Sequence, residues 1–170
     1  MKTRPRGVTL IELLVTISLF ALLLALAIPA VGHWIARQQL QGAVDDVRQS
    51  LELARKTAVT RHKLVWVEFS QQDKAWTMRV SERKTAAACD GSQDLRCIGA
   101  GQHAGVSLGA DGRKLPLLLA FSPLRGMPQQ DDGEDLRKEV DLRLSRAACQ
   151  PVTLQLLSTG LIHNGAVRCP

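Results

Sequence analysis

The sequence predicts an α+β protein in which a long N-terminal helix, part membrane-spanning and part amphipathic, packs on a mainly antiparallel β-sheet domain. Three observations carry this expectation. From Leu13 to Val31 there are nineteen residues without a charge. Beyond them, Leu40, Val44, Val47, Leu51, Ala54 and Ala58 recur at alternating spacings of four and three, which lays one apolar stripe along a helix. From Leu64 the pattern changes to period two and to β-forming residues.

Lys2, Arg4 and Arg6 precede the uncharged run with no acid among them, and a cationic flank stays cytoplasmic while the chain after it is exported. A helix of ~20 apolar residues spans the ~30 Å hydrocarbon core. The expected organisation is therefore a leader over residues 1–7, a transmembrane helix over 8–31, its amphipathic continuation over 32–63 and an exported β-rich domain over 64–170. An ordinary secretory signal peptide is the competing reading, with Ala25-Leu26-Ala27 as a small-x-small cleavage site. Against it stand the length of the run, the acid Glu12 at its start and the helical pattern that continues past the supposed cut. An acid just inside a membrane-length helix is costly to bury and points to a function.

The string Gly7-Val8-Thr9-Leu10-Ile11-Glu12-Leu13-Leu14 resembles the N-terminal motif of the type IV pilin and type II secretion pseudopilin superfamily, with Val8 where that pattern usually has Phe. Pro29 falls where these proteins commonly carry a helix-bending proline. The resemblance implies a pilin-like fold, cleavage after Gly7 by a prepilin peptidase on the cytoplasmic face, and N-methylation of the new terminus at Val8. Cleavage places an ammonium on Val8, and in a packed helical bundle a neighbour's terminus would neutralise Glu12 and set the stagger between subunits. The plainer alternative for Glu12 is a carboxylate that snorkels to the headgroups or stabilises its own helix N-terminus.

The amphipathic helix is expected to run to about Arg61, with Pro29 bending it and Gly42 weakening it slightly. Its other face carries Asp45, Asp46, Arg48, Glu52, Arg55 and Lys56 and reads as solvated. Arg61, His62 and Lys63 suit the negative end of the helix dipole. A hairpin follows, Leu64–Phe69 and Trp76–Val80 around Gln71-Gln72-Asp73-Lys74, with Val65, Val67 and Phe69 on one face. Further strands are expected at Leu115–Phe121, Val140–Leu144, Val152–Leu157 and Leu161–Ile162, and an exposed acidic loop between Pro128 and Glu139.

Two later segments narrow the resemblance to the GspH/FimT group of minor pseudopilins and pilins. Phe121-Ser122-Pro123-Leu124-Arg125-Gly126 is similar to that group's phenylalanine-x-proline-x-x-glycine turn, and Val152 to Gly160 is similar to its penultimate strand and glycine turn. DNA-binding relatives follow that strand with Gly-Arg-x-Arg, whereas this chain has Gly160-Leu161-Ile162-His163 and lacks both arginines. The formal charge of +6 falls to +3 once Lys2, Arg4 and Arg6 leave with the leader, which is no nucleic-acid signature.

The four cysteines suit an oxidising periplasm and allow three pairings. Local closure favours Cys89–Cys97 with Cys149–Cys169, the second pinning the C-terminus. No metal or other cofactor is expected, because the cysteine spacing is not a paired C-x-x-C pattern and His103 and His163 have no ligand-like grouping. Nor is an enzyme: Ser158, His163 and Asp141 lack the local motif of a nucleophile elbow, a phosphate loop or a zinc helix. Trp34, Trp66 and Trp76 read as membrane-interface or core residues.

The expected function is that of a minor pseudopilin or pilin, an inner-membrane, single-pass structural subunit with its C-terminal domain in the periplasm. Its partners would be other pilin subunits, the prepilin peptidase and the inner membrane. A DNA-binding minor pilin for natural transformation is the alternative, and the missing arginines disfavour it. Mass spectrometry of the mature protein should find a methylated N-terminal Val8; a terminus after Ala27 would instead establish an ordinary signal peptide.

Overall fold

The computed structural model describes residues 9–73, 75–84 and 89–169, with residues 26–30 described by backbone alone. Gly7 and Val8 lie outside the described residues. One helix, α1, covers Leu10–Arg61, and the chain divides into two units between Ile35 and Ala36.

In the first unit α1 starts with a side-chain cap. The Glu12 amide donates to the Thr9 hydroxyl at 3.3 Å and the Leu13 amide to the Thr9 carbonyl at 3.1 Å. The first bond occupies an amide that a helix start leaves without an intrahelical partner, and the second is the first regular bond of the helix. The hydroxyls of Thr16 and Ser18 turn back onto the Leu13 and Leu14 carbonyls at 2.8 Å, so neither needs water. Ile11, Leu14, Val15, Phe20 and Leu24 are each more than half exposed. Among the described residues no helix is long and apolar enough to cross a membrane; the expected span of 8–31 includes Val8 and the side chains of 26–30, which are outside them.

The second unit carries the core. Leu40, Ala43, Val44, Val47, Leu51, Ala54 and Ala58 are fully buried, so the predicted stripe is the packed face of α1. The helix stops where His62 takes a φ of 52° and the Lys63 amide reaches back to the Ala58 carbonyl at 3.2 Å. This is a left-handed C-cap in which the last carbonyls gain donors. Arg61 and Lys63 pair with Glu82, a contact more specific than the dipole role expected of them.

Among the described residues nine strands follow: β1 Val65–Gln72, β2 Ala75–Ser81, β3 Arg96–Gly99, β4 Val106–Ala110, β5 Leu117–Phe121, β6 Pro128–Gln129, β7 Val140–Arg146, β8 Val152–Leu156 and β9 Ile162–Asn164. They form two antiparallel sheets, β3-β2-β1-β5-β6 and β4-β7-β8-β9. In β1 the buried residues are Val65, Val67 and Phe69, the predicted inward face. Trp76, Met78, Leu119, Phe121, Leu142, Leu144, Leu154 and Leu156 complete the core with the helix stripe.

Several expectations need correction. The sheet is two sheets, and β3, β4 and β6 were not predicted. The hairpin strands extend to Gln72 and from Ala75, which leaves a tighter turn than expected. Residues 131–135 and 137–139 of the acidic segment are exposed, but Pro128 is buried in β6 and Leu136 is 3% exposed in the core. One apolar side chain at the end of a polar loop suffices to pull that end inward.

Cys89 is bonded to Cys97 and Cys149 to Cys169. The second bond ties the tail to the β7–β8 turn, where the Gln150 amide also donates to the Arg168 carbonyl at 2.9 Å. In a loop-entropy description each closure contributes about 2 to 4 kcal/mol, more for the longer loop. The Cys149→Ser/Cys169→Ser variant should therefore lose more stability in urea melts than Cys89→Ser/Cys97→Ser; equal losses would show that tail pinning adds nothing.

Candidate functional site

Two glycine turns meet beside the last turns of α1. Gly126 and Gly160 adopt φ values of 63° and 80°, a region that costs little only for glycine. The Phe121–Gly126 turn closes with Gly126 donating to the Ser122 carbonyl at 2.8 Å, and the Ser158–Gly160 turn with Gly160 donating to Leu157 at 2.8 Å. A Cβ on Gly160 would lie 2.8 Å from the Gly126 carbonyl oxygen, so the two turns touch through backbone. A Cβ on Gly126 would lie 3.0 Å from both Arg55 Cγ and Val59 Cγ2.

Arg55 fastens this junction, donating from Nη1 to the Gly160 carbonyl at 3.1 Å. One and two turns earlier, Glu52 and Arg48 pair at 3.0 Å, and Arg48 also donates to Asn164 Oδ1 at 3.2 Å. Between these side chains and Gly160–Ile162 lies an apolar groove of about 460 Å³ that includes Lys56, Val59 and Thr60. Leu161 and Leu124 stand exposed at 59% and 84%.

A second polar cluster lies nearer the start of the buried stripe. Asp46 accepts from Arg96 Nη2 at 2.7 Å and is 2.9 Å from His103 Nε2. The His103 ring is stacked with Trp76 at 6.2 Å between centroids, and Trp76 Nε1 donates to the Val106 carbonyl at 2.9 Å. Asp46 is thus a tie between helix and sheet, which corrects its reading as part of a solvated face. Of the other tryptophans, Trp34 is exposed and Trp66 lies under the Lys84 ammonium, 4.9 Å from the ring centroid.

The other sequence candidates separate. Glu12 sits in the first turn of α1, where a carboxylate suits the positive end of the helix dipole. Asp141 and His163 both register with Gln155, one on each side, so they stand two strands apart, about 10 Å. Ser158 lies in the turn beyond, and no hydrogen bond joins the three among the described residues. Cys89, Asp94 and Cys97 come together, but both sulfurs are consumed in a disulfide. In that loop the Ser92 hydroxyl and amide bond the Asp90 carboxylate and hold it below the usual carboxylate range.

The two β7 arginines do not replace the missing DNA motif as a pair. Leu161 and His163 occupy the motif positions as exposed side chains. Arg143 and Arg146 differ in strand parity and so face opposite sides of β7, and Arg146 is bonded to the Ala104 carbonyl. Sequence reasoning identified both glycine turns but not Arg55, whose contacts lie about a hundred residues away in the chain.

Gly160→Ala combines left-handed strain with a clash against fixed backbone and should cost about 2 kcal/mol or more. Gly112→Ala, at φ 69° with open space around it, supplies the control and should cost about 1 to 2 kcal/mol. Equal losses in urea melts would remove the packing role of the Gly126–Gly160 contact.

Comparison with known proteins agrees with this geometry. Residues 2–28 match the model of the prokaryotic N-terminal methylation motif, and residues 43–160 match that of the type II transport protein GspH. No curated protein sequence shows significant similarity to the chain. Two crystal forms of the type IV minor pilin FimU from Pseudomonas aeruginosa (strain PAO1) share its fold. The P65 form has TM-score 0.52 and 15% identity over 74% of this chain and 92% of that one; the P21 form has TM-score 0.55 and 17% identity over 76% and 90%. The long helix packed on antiparallel sheets is a pilin fold, and the chain belongs to the type II transport protein GspH family.

Proposed function

We propose that this chain is a minor pseudopilin or pilin, a structural subunit of a type II secretion pseudopilus or a type IV pilus that supports protein secretion or pilus assembly. It is held in the inner membrane by residues 8–31 after a prepilin peptidase removes 1–7 and Val8 is methylated. The observation that carries the reading is the series of exposed aliphatic side chains from Leu10 to Leu24 on a capped helix, joined to a domain of the GspH family. So large an apolar surface requires lipid or a partner helix. Its self-bonded hydroxyls let it enter either medium without an unsatisfied donor.

Glu12 is the charge left within that segment, and its proposed role is to meet the Val8 ammonium of a neighbouring subunit. The Thr9 cap supports the helix start on which Glu12 stands, so the local and the intersubunit roles coexist. No chemistry is assigned to the exported domain, and DNA is not proposed as a partner, because the motif positions carry Leu161 and His163.

Glu12→Ala should leave membrane insertion intact, since it removes a charge from an apolar helix, while incorporation into filaments falls. Immunoblots of membrane and sheared-filament fractions measure both. Incorporation equal to that of the parent chain would remove the intersubunit role of Glu12.

A further inference from the structure

Opposite charges stand at the groove and on the 130–135 loop, whose tip reaches the far end of strand β5. At the Phe121 end, Lys56 lines the groove and Arg125 stands exposed next to Gly126, which packs on Arg55 and Val59; neither cation is paired with a carboxylate among the described residues. The tip of the 130–135 loop reaches the other end, beside Leu117 and Leu118, and the loop presents Asp131, Asp132, Glu134 and Asp135 to solvent. Asp131 is held by Lys84 and Glu134 by Arg137, whereas Asp132 and Asp135 have no cationic partner among the described residues. The loop's tip and base differ in place: Asp131 and Asp132 lie beside Leu117 and Leu118, roughly 15 Å along β5 from Phe121, whereas Asp135 bridges Gln129, the partner of Ala120, nearer the Phe121 end.

We propose that the groove of one subunit receives the 130–135 loop of a second copy, with Lys56 and Arg125 facing Asp132 and Asp135 and with Leu124 and Leu161 covered. The proposal rests on the reading of the chain as a filament subunit. A contact between two different patches on the same body is heterologous, and unless its rotation closes a ring it repeats into an open helical array. The loop tip is narrow, because Gly133 turns it at a φ of 86° and only short acidic side chains flank that turn. The floor of the groove is apolar, so ion pairs formed over it are less weakened by water than pairs on an open surface.

The test uses the full-length chain in cells that contain the prepilin peptidase and the filament machinery. One tagged copy carries a photo-crosslinking residue at position 161, and a second copy carries a different tag. Irradiation should join position 161 to the loop of the second copy. Lys56→Glu/Arg125→Glu on the first copy, or Asp132→Lys/Asp135→Lys on the second, should lower the yield about tenfold, as like-charge juxtaposition predicts. Both reversals together should restore it, which a misfolded variant could not do. The proposal is overturned if the parent chain gives no such product, if position 161 joins a different subunit, or if single reversals change nothing or the pair fails to rescue. Filament incorporation measured in the same cells separates the two levels. Loss of the crosslink with normal incorporation removes this contact and leaves the subunit reading intact; a charge-rescued crosslink in cells whose filaments lack the chain does the reverse.

Discussion

Seven side chains of one helix, from Leu40 to Ala58, lose all contact with water against the inner faces of two antiparallel sheets. At about 25 cal/mol per Å² of apolar surface, this burial is what holds the helix to the sheets. It also fixes which side of α1 remains for polar contacts. Asp46, Arg48 and Arg55 reach from that remaining side to His103, Asn164 and Gly160, which ties two loops and the end of β9 to the helix. These ties are weak singly, because a net hydrogen bond contributes about 1 kcal/mol. Their geometry depends on the helix being held by its stripe.

The two units of the chain place opposite demands on the same kind of residue. In the second unit, Leu and Val at helical spacing turn inward and vanish from the surface. In the first, Leu and Ile surround the helix on all sides and remain exposed, a pattern suited to a bilayer or to packing among like helices. Thr9, Thr16 and Ser18 show how a helix accommodates polar side chains in such surroundings, by using them as caps or bonding them to its own carbonyls. Glu12 has no comparable internal partner for its carboxylate among the described residues, and for that reason it is the proposed point of registration between subunits.

The parts legible in the sequence were those with a repeated period. The α1 stripe persists over five turns, and β1, β5, β7 and β8 alternate or concentrate β-forming residues long enough to stand out. Strand β3 has four residues with one large buried aliphatic, β4 carries Gly109 within it, and β6 begins with Pro128, so none leaves a periodic trace. Asp46 was misread because its partners lie 50 and 57 residues away, a distance at which charge spacing along a helix conveys nothing. The resemblance located Gly126 and Gly160, but only the fold brings them into contact and sets Arg55 against both. Gly7 and Val8, the best-defined motif positions in the sequence, lie outside the described residues and keep their standing from the motif match alone.

The central claim is that the chain works as a built-in part of a filament and not as a free periplasmic protein. Quantifying it in purified filaments or pseudopili, from cells with and without the prepilin peptidase, tests that most directly. The account predicts that the processed chain co-purifies with filaments only when the peptidase is present and that the uncut chain stays in the inner membrane. Recovery of the chain wholly in the soluble periplasmic fraction, with filaments that lack it, would contradict the account.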